Sequence, residues 1–265
     1  MVAADPRFPG HALPGPAIGP AQPPAGLTEV QACGGSARGR LAGPGQEHLT
    51  MAASHRESLV TEGVHSLEVR WIFPGQLEAA VAGWFGRFPA GVESREDTYL
   101  LDPPLRGLSV KIRGGEALEV KVYRGSPGML YVAGRARGRL ESWQKWSYLC
   151  GPLSQDSGDP ACWRPVRKRR RINRFSLASG RIVSRSLGLG HEPRCEVELT
   201  EIRTSDQDWW SLGFEATGPA ELLRTALETT AALVFTQALP PGVELGPGES
   251  RSYAEWLYRQ VGDQE

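Results

Sequence analysis

Five short segments place acids or bases at every second position: Leu67–Trp71, Val110–Arg113, Leu118–Val122, Cys195–Leu199 and Leu212–Ala216. Successive side chains of a strand point to opposite faces, so each segment has one charged and one apolar face. The charged face collects both signs: Glu68 with Arg70, Lys111 with Arg113, Glu119 with Lys121, then Glu196, Glu198 and Glu215. A sheet that closes into a barrel with this face inward encloses a channel lined by bases and carboxylates. Such a channel suits a polyphosphate held through a divalent metal.

The chemistry follows from residue type. Arginine clamps phosphate oxygens with two hydrogen bonds, and lysine acts as a point charge. Lys111, Arg113, Lys121, Lys168 and Arg170, with Arg70 beside them, are the candidate substrate-binding bases. Mg2+ or Mn2+ takes carboxylate and water oxygens, which makes Glu68, Glu198 and Glu215 the metal candidates. Glu119 and Glu196 could brace those ligands or orient a water. Taken singly, each charged strand residue reads better as part of a solvated outer face; jointly they favour an interior, because the alternate faces carry Val, Ile, Leu and Trp that need cover. The run Arg164–Arg174 holds seven bases in eleven residues and has two further readings, an RNA-binding strip or a solvated edge. His65 and His191 stand isolated, and the tryptophans read as packing residues. No phosphate-cradling glycine loop, dinucleotide fingerprint, or serine or cysteine nucleophile signature is present.

The elements that must position these residues can be placed from pattern. Strands are expected at Leu67–Trp71, Asp97–Leu101, Leu108–Arg113, Ala117–Tyr123, Trp143–Leu149, Val166–Phe175, Arg181–Ser186, Arg194–Thr204 and Trp210–Ala216, with Gly114-Gly115 as a hairpin turn. Gly151–Pro160 reads as a polar loop. Helical spacing appears over Pro74–Phe88, from Ala220 to about Leu239, where Pro240-Pro241 stops it, and over Ser252–Val261. Most connections are too short for crossover helices, so antiparallel pairing is expected. The fold class is α+β: an antiparallel eight-stranded barrel flanked by helices.

Composition bounds the function. At 265 residues the chain can bury a substantial core, and thirty bases balance thirty acids. Zero net charge argues against a general nucleic-acid or membrane binder. No apolar run approaches the ~20 residues that span a bilayer, and no basic-then-apolar leader opens the chain. Cys33, Cys150, Cys162 and Cys195 are scattered, without a CxxC pair, so free thiols and a cytoplasmic location are the expectation. Residues 1 to about 50 are rich in Pro, Gly and Ala and are expected to be disordered and dispensable; Met51 offers an alternative start. The folded domain is expected over residues 64–261.

In order, these elements resemble the CYTH superfamily, the triphosphate tunnel metalloenzymes, which include thiamine triphosphatase and inorganic triphosphatase. The resemblance is carried by Ser66-Leu-Glu-Val-Arg70, Asp97-Thr-Tyr99-Leu-Leu-Asp-Pro103, Ser109-Val-Lys-Ile-Arg113, Leu118-Glu-Val-Lys121, Val166-Arg-Lys168-Arg-Arg170, Cys195-Glu-Val-Glu-Leu-Thr200, Gly213-Phe-Glu215 and Ser252–Leu257, over about residues 64–260. It implies metal-dependent hydrolysis of inorganic or small organic triphosphates, with Mg2+ or Mn2+ as cofactor and Glu68 and Glu215 as catalytic carboxylates. The chain departs from the family at its first strand, where Glu-x-Glu-x-Lys becomes Ser66, Glu68 and Arg70. Ser66 removes one carboxylate expected to help hold metal. The alternative is a tunnel that binds a polyphosphate or nucleotide without turning it over; cyclase activity ranks third, since no base-recognition pocket is visible.

Overall fold

A computed structural model describes residues 63–101, 107–150, 162–178, 181–184, 193–205 and 207–262. The expected disordered segment, the Met51 start, the Gly151–Pro160 loop and Cys33 lie outside the described residues.

The described residues form eleven strands: Val64–Pro74 (β1), Gly91–Leu100 (β2), Leu108–Arg113 (β3), Ala117–Gly125 (β4), Met129–Val132 (β5), Ala136–Arg139 (β6), Glu141–Leu149 (β7), Trp163–Ala178 (β8), Arg181–Ser184 (β9), Arg194–Thr204 (β10) and Gln207–Thr217 (β11). Eight of them pair in the ring β10-β11-β1-β7-β4-β3-β2-β8, and β8 closes it onto β10. Every pairing is antiparallel. The result is a closed eight-stranded antiparallel barrel, with β9 extending one end of β8 and β5–β6 forming a separate hairpin. Gly114 and Gly115 turn β3 into β4 at φ of 59° and 76°, the left-handed region a tight hairpin requires.

The outward faces of β1, β10 and β11 carry Leu67, Val69, Trp71, Val197, Leu199, Leu212 and Phe214, all buried in the main core. The helices Ala79–Phe85 (α1) and Leu223–Val234 (α2) supply its other side, with Phe85, Leu227 and Ala231 fully covered. The hairpin β5–β6 adds Leu130 and Ala136. Gly138 of β6 permits this packing, because a Cβ there would stand 2.6 Å from the Trp71 ring.

Two helices are shorter than their periodicity predicts. α1 spans Ala79–Phe85 rather than Pro74–Phe88, since Gly75 sits at φ 89° outside the helical region; Leu77 and Phe88 reach the core from irregular backbone. α2 follows a 3-10 turn at Ala220–Leu222 and ends at Val234, where Phe235 leaves the helix to pack on Trp84 and Phe214. No described helix is long and apolar enough to cross a membrane.

The helix Tyr253–Gly262 (α3) closes one end of the barrel. Its Trp256 and Leu257 join Ile72, Tyr99, Val166 and Ile202 in a second buried cluster. At the other end, Arg113 and Arg174 keep about two-fifths of their side chains in water. The interior is thus a cup with an apolar floor and a charged rim.

Candidate functional site: a polar cup inside the barrel

The cavity holds about 230 Å3 of open space. Glu68, Arg70, Lys111, Arg113, Lys121, Lys168, Arg170, Glu198 and Glu215, the nine residues expected from the strand pattern, all line it, as do Glu119 and Glu196. Alternation places them there: in β1 the apolar Leu67, Val69 and Trp71 take the outer core, so Glu68 and Arg70 must turn inward. The register then sets Glu141, Glu68, Glu215 and Glu196 side by side across four adjacent strands.

Near the floor, Asp97 is fully buried and meets Lys168 at 3.0 Å, Lys111 at 3.3 Å and Arg95 at 3.0 Å. Burial by itself would raise the Asp97 pKa; the three cations overcome it and hold the carboxyl well below its usual range. Lys168 donates to Tyr99 Oη at 2.6 Å and lies 3.8 Å from the Tyr253 ring centre. Burial depresses the Lys168 pKa in spite of Tyr99 and Asp97, and burial pushes Tyr99 up to about 12.

Higher on the wall, Glu198 is gripped by two arginines. Arg70 Nη1 reaches it at 3.2 Å, Arg170 donates through Nε at 2.9 Å and again through Nη2, and Thr200 Oγ1 donates at 2.5 Å. Burial opposes ionisation of Glu198, but Arg170 and Arg70 keep its pKa far below normal. Arg70 can cross to Glu198 because its neighbour across the ladder is Gly213, where a Cβ would lie 2.8 Å from the guanidinium carbon. Arg70 also stacks 4.4 Å from the Tyr253 ring centre.

The next cations are shared. Lys121 sits 2.7 Å from Glu68 and 3.7 Å from Glu215; Lys145 stands 3.5 Å from Glu215. Glu215 is held down to about 2 against the pull of burial, by Lys121 first and Lys145 second. Lys111 is 2.9 Å from Glu119. Ser66, fully buried, donates its hydroxyl to Glu68 at 2.8 Å.

Sequence reasoning missed Glu93, Arg95, Glu141, Lys145, Arg174, Arg194, Arg251 and Tyr253, all of which line the cavity. Glu93 and Arg95 precede the strand expected from Asp97, and over residues 93–97 both faces are polar, so alternation gave no signal there. Lys145 lay within the expected strand at the inward parity of Trp143, and Glu141 shares that parity but precedes the expected start by two residues. Arg251 precedes α3 in irregular backbone and carries no periodic signal.

A divalent ion needs several carboxylate oxygens directed at one point. Glu68, Glu198 and Glu215 share the cavity but not a common point, and each already faces at least one base. Among the described residues no three His, Cys, Asp or Glu side chains come together as a metal site. The three carboxylates as placed do not fit the expected metal.

No protein-family model matches the sequence, and no curated protein matches it significantly. Among solved structures, the chain is similar to the S. pombe Pct1 RNA triphosphatase at 12% identity and a TM-score of 0.32, over 76% of this chain and 81% of that one. A second structure, of the same protein in complex with the Spt5 CTD, matches at 11% identity and a TM-score of 0.31, over 77% and 81%. Likenesses of that size carry no weight for activity. The tunnel fold rests on this chain's own closed ring of eight antiparallel strands and its inward charge, which are what the CYTH resemblance implies.

Proposed function

We propose that the chain binds inorganic triphosphate, or the triphosphate of a small organic molecule, inside the barrel. One observation carries this reading: twelve Lys and Arg side chains line the cavity against seven carboxylates, nine when Asp97 at the floor and Glu255, paired with Arg139, are included. The site therefore carries an excess of three positive charges, in a space cut off from bulk water at one end. Charges gathered in a poorly solvated interior repel strongly unless an anion joins them. A triphosphate brings a comparable negative charge, and its oxygens suit both guanidinium forks and ammonium groups. The cavity is also smaller than the ~300–1,000 Å3 of pockets that enclose drug-sized ligands, which favours a compact anion or an anionic tail.

Metal-dependent hydrolysis of that anion through Glu68, Glu198 and Glu215 would require these carboxylates to leave their bases and converge. Glu198, with Arg70, Arg170 and Thr200 all bonded to it, is the least free to do so. Binding without turnover is the reading the geometry favours.

Thermal unfolding of the full chain tests it. Sodium triphosphate at a hundredfold excess over its Kd should stabilise the fold by about 2.7 kcal/mol, or roughly 5–10 °C in Tm. Orthophosphate and sulfate at equal ionic strength should do far less. A Tm indifferent to triphosphate, or one that rises equally with sulfate, would remove the proposal. Release of phosphate with Mg2+ or Mn2+ would show that the tunnel turns its ligand over.

A further inference from the structure

We infer that the tunnel takes up its polyanion without a divalent metal, with arginines supplying the positive charge a metal would otherwise bring. This rests on the triphosphate-binding reading above. A hard divalent cation needs several oxygen ligands directed at one point and not already neutralised. Glu68 and Glu215 share the Lys121 ammonium, and Glu198 lies between two guanidiniums. Ser66, beside Glu68 on the same strand face, adds a hydroxyl that donates to Glu68 at 2.8 Å rather than another carboxylate.

The cations tell the complementary story. Ten of the twelve bases on the wall have a carboxylate within 4 Å; Arg194 and Arg251, among the described residues, do not. Arg194 stands at the rim, its Nε donating to Thr217 Oγ1 at 2.9 Å, and among the described residues the Arg251 guanidinium donates to the Gly248 carbonyl alone. A guanidinium carries five N–H donors and cannot lose its charge. Most of the donors on these two are left for a ligand. Bound Mg2+ offsets the charge of a polyphosphate and occupies its oxygens. Here fixed guanidiniums compete for those same oxygens, so the metal-free anion should bind at least as tightly as its Mg2+ complex.

Calorimetric titration of the full chain with sodium triphosphate decides the matter when run in EDTA, in Mg2+ and in Mn2+. The expected result is a Kd in EDTA equal to or lower than that with either metal. Arg194→Ala and Arg251→Ala should each weaken binding in EDTA by about tenfold or more, as expected for a lost charge-assisted hydrogen bond. Binding seen only with Mg2+ or Mn2+ would overturn this inference and leave triphosphate binding standing. No binding under any condition would overturn the reading beneath it. Tight binding in EDTA that ignores both substitutions would overturn the role given to these two arginines. Mn2+ added alone should keep its free-ion paramagnetic resonance signal; loss of that signal at stoichiometric protein would also count against metal-free binding.

Discussion

The two faces of β8 carry the same residue types one position apart, yet they do different things. Lys168 and Arg170 point inward and are almost wholly buried, whereas the Arg167 and Arg169 side chains outside are 76% and 55% exposed. All four have acidic partners: Asp97 and Glu198 within, Glu96 and Glu201 without. Outside, water screens the pairs and little depends on them. Inside, each carboxylate cancels charges that have lost their hydration, and removing one leaves buried cations short of counter-charge. A run of seven bases is thus two populations, sorted by the strand's period of two rather than by composition.

The sharpest way to break this contrast is Glu198→Gln, which leaves Arg70 and Arg170 buried without their shared carboxylate. Urea denaturation should show a loss of about 3–5 kcal/mol. A loss below about 1 kcal/mol would put inner and outer pairs in one class.

Acid should expose the contrast next. Asp97, Glu119, Glu198 and Glu215 all have pKa values depressed in the folded state, against the pull of burial, by neighbouring cations. A depressed folded pKa contributes stability above the unfolded value, near 4, that is lost as pH falls toward the folded one. Stability should therefore hold nearly level from pH 8 to 5 and fall steeply between about pH 4 and 2, with Glu215 alone contributing roughly 3 kcal/mol. Denaturation midpoints across that range check it; a decline starting near pH 6 would contradict the ion-pair account.

The smallest effect belongs outside. Arg167→Ala, which removes the exposed pair with Glu96, should change stability by no more than about 0.5 kcal/mol. A larger loss in thermal unfolding would mean that the outer face is structured by its charges after all.

How much of this was legible in the sequence depended on contrast between faces. Glu68-Val-Arg70 and Glu196-Val-Glu198 announce an inner and an outer side because the residue between the charges is apolar and needs the core that α1 and α2 complete. Over residues 93–97 both sides are polar, so Glu93 and Arg95 could not be told from surface residues. Which carboxylate meets which base was not legible at all. That Arg70 reaches Glu198 rather than Glu68 depends on the register of β1, β11 and β10 and on the missing side chain at Gly213. Cross-strand partners far apart in sequence leave no trace in local pattern.

The seam of the ring has a consequence for how the molecule comes into being. β1 bonds to β11, β8 bonds to β10, and α3 then packs on the floor. A growing chain delivers β1 early, its partner strand late and its stopper last, so the ring must wait as an open, curling sheet through most of synthesis. During that wait the basic and acidic inner face is an asset: its charges keep the unclosed sheet in water and discourage pairing with another nascent chain. A messenger truncated just before Tyr253 would yield a barrel whose last seam had closed but whose base was missing, a pipe instead of a cup. The charged interior would then meet water from both sides.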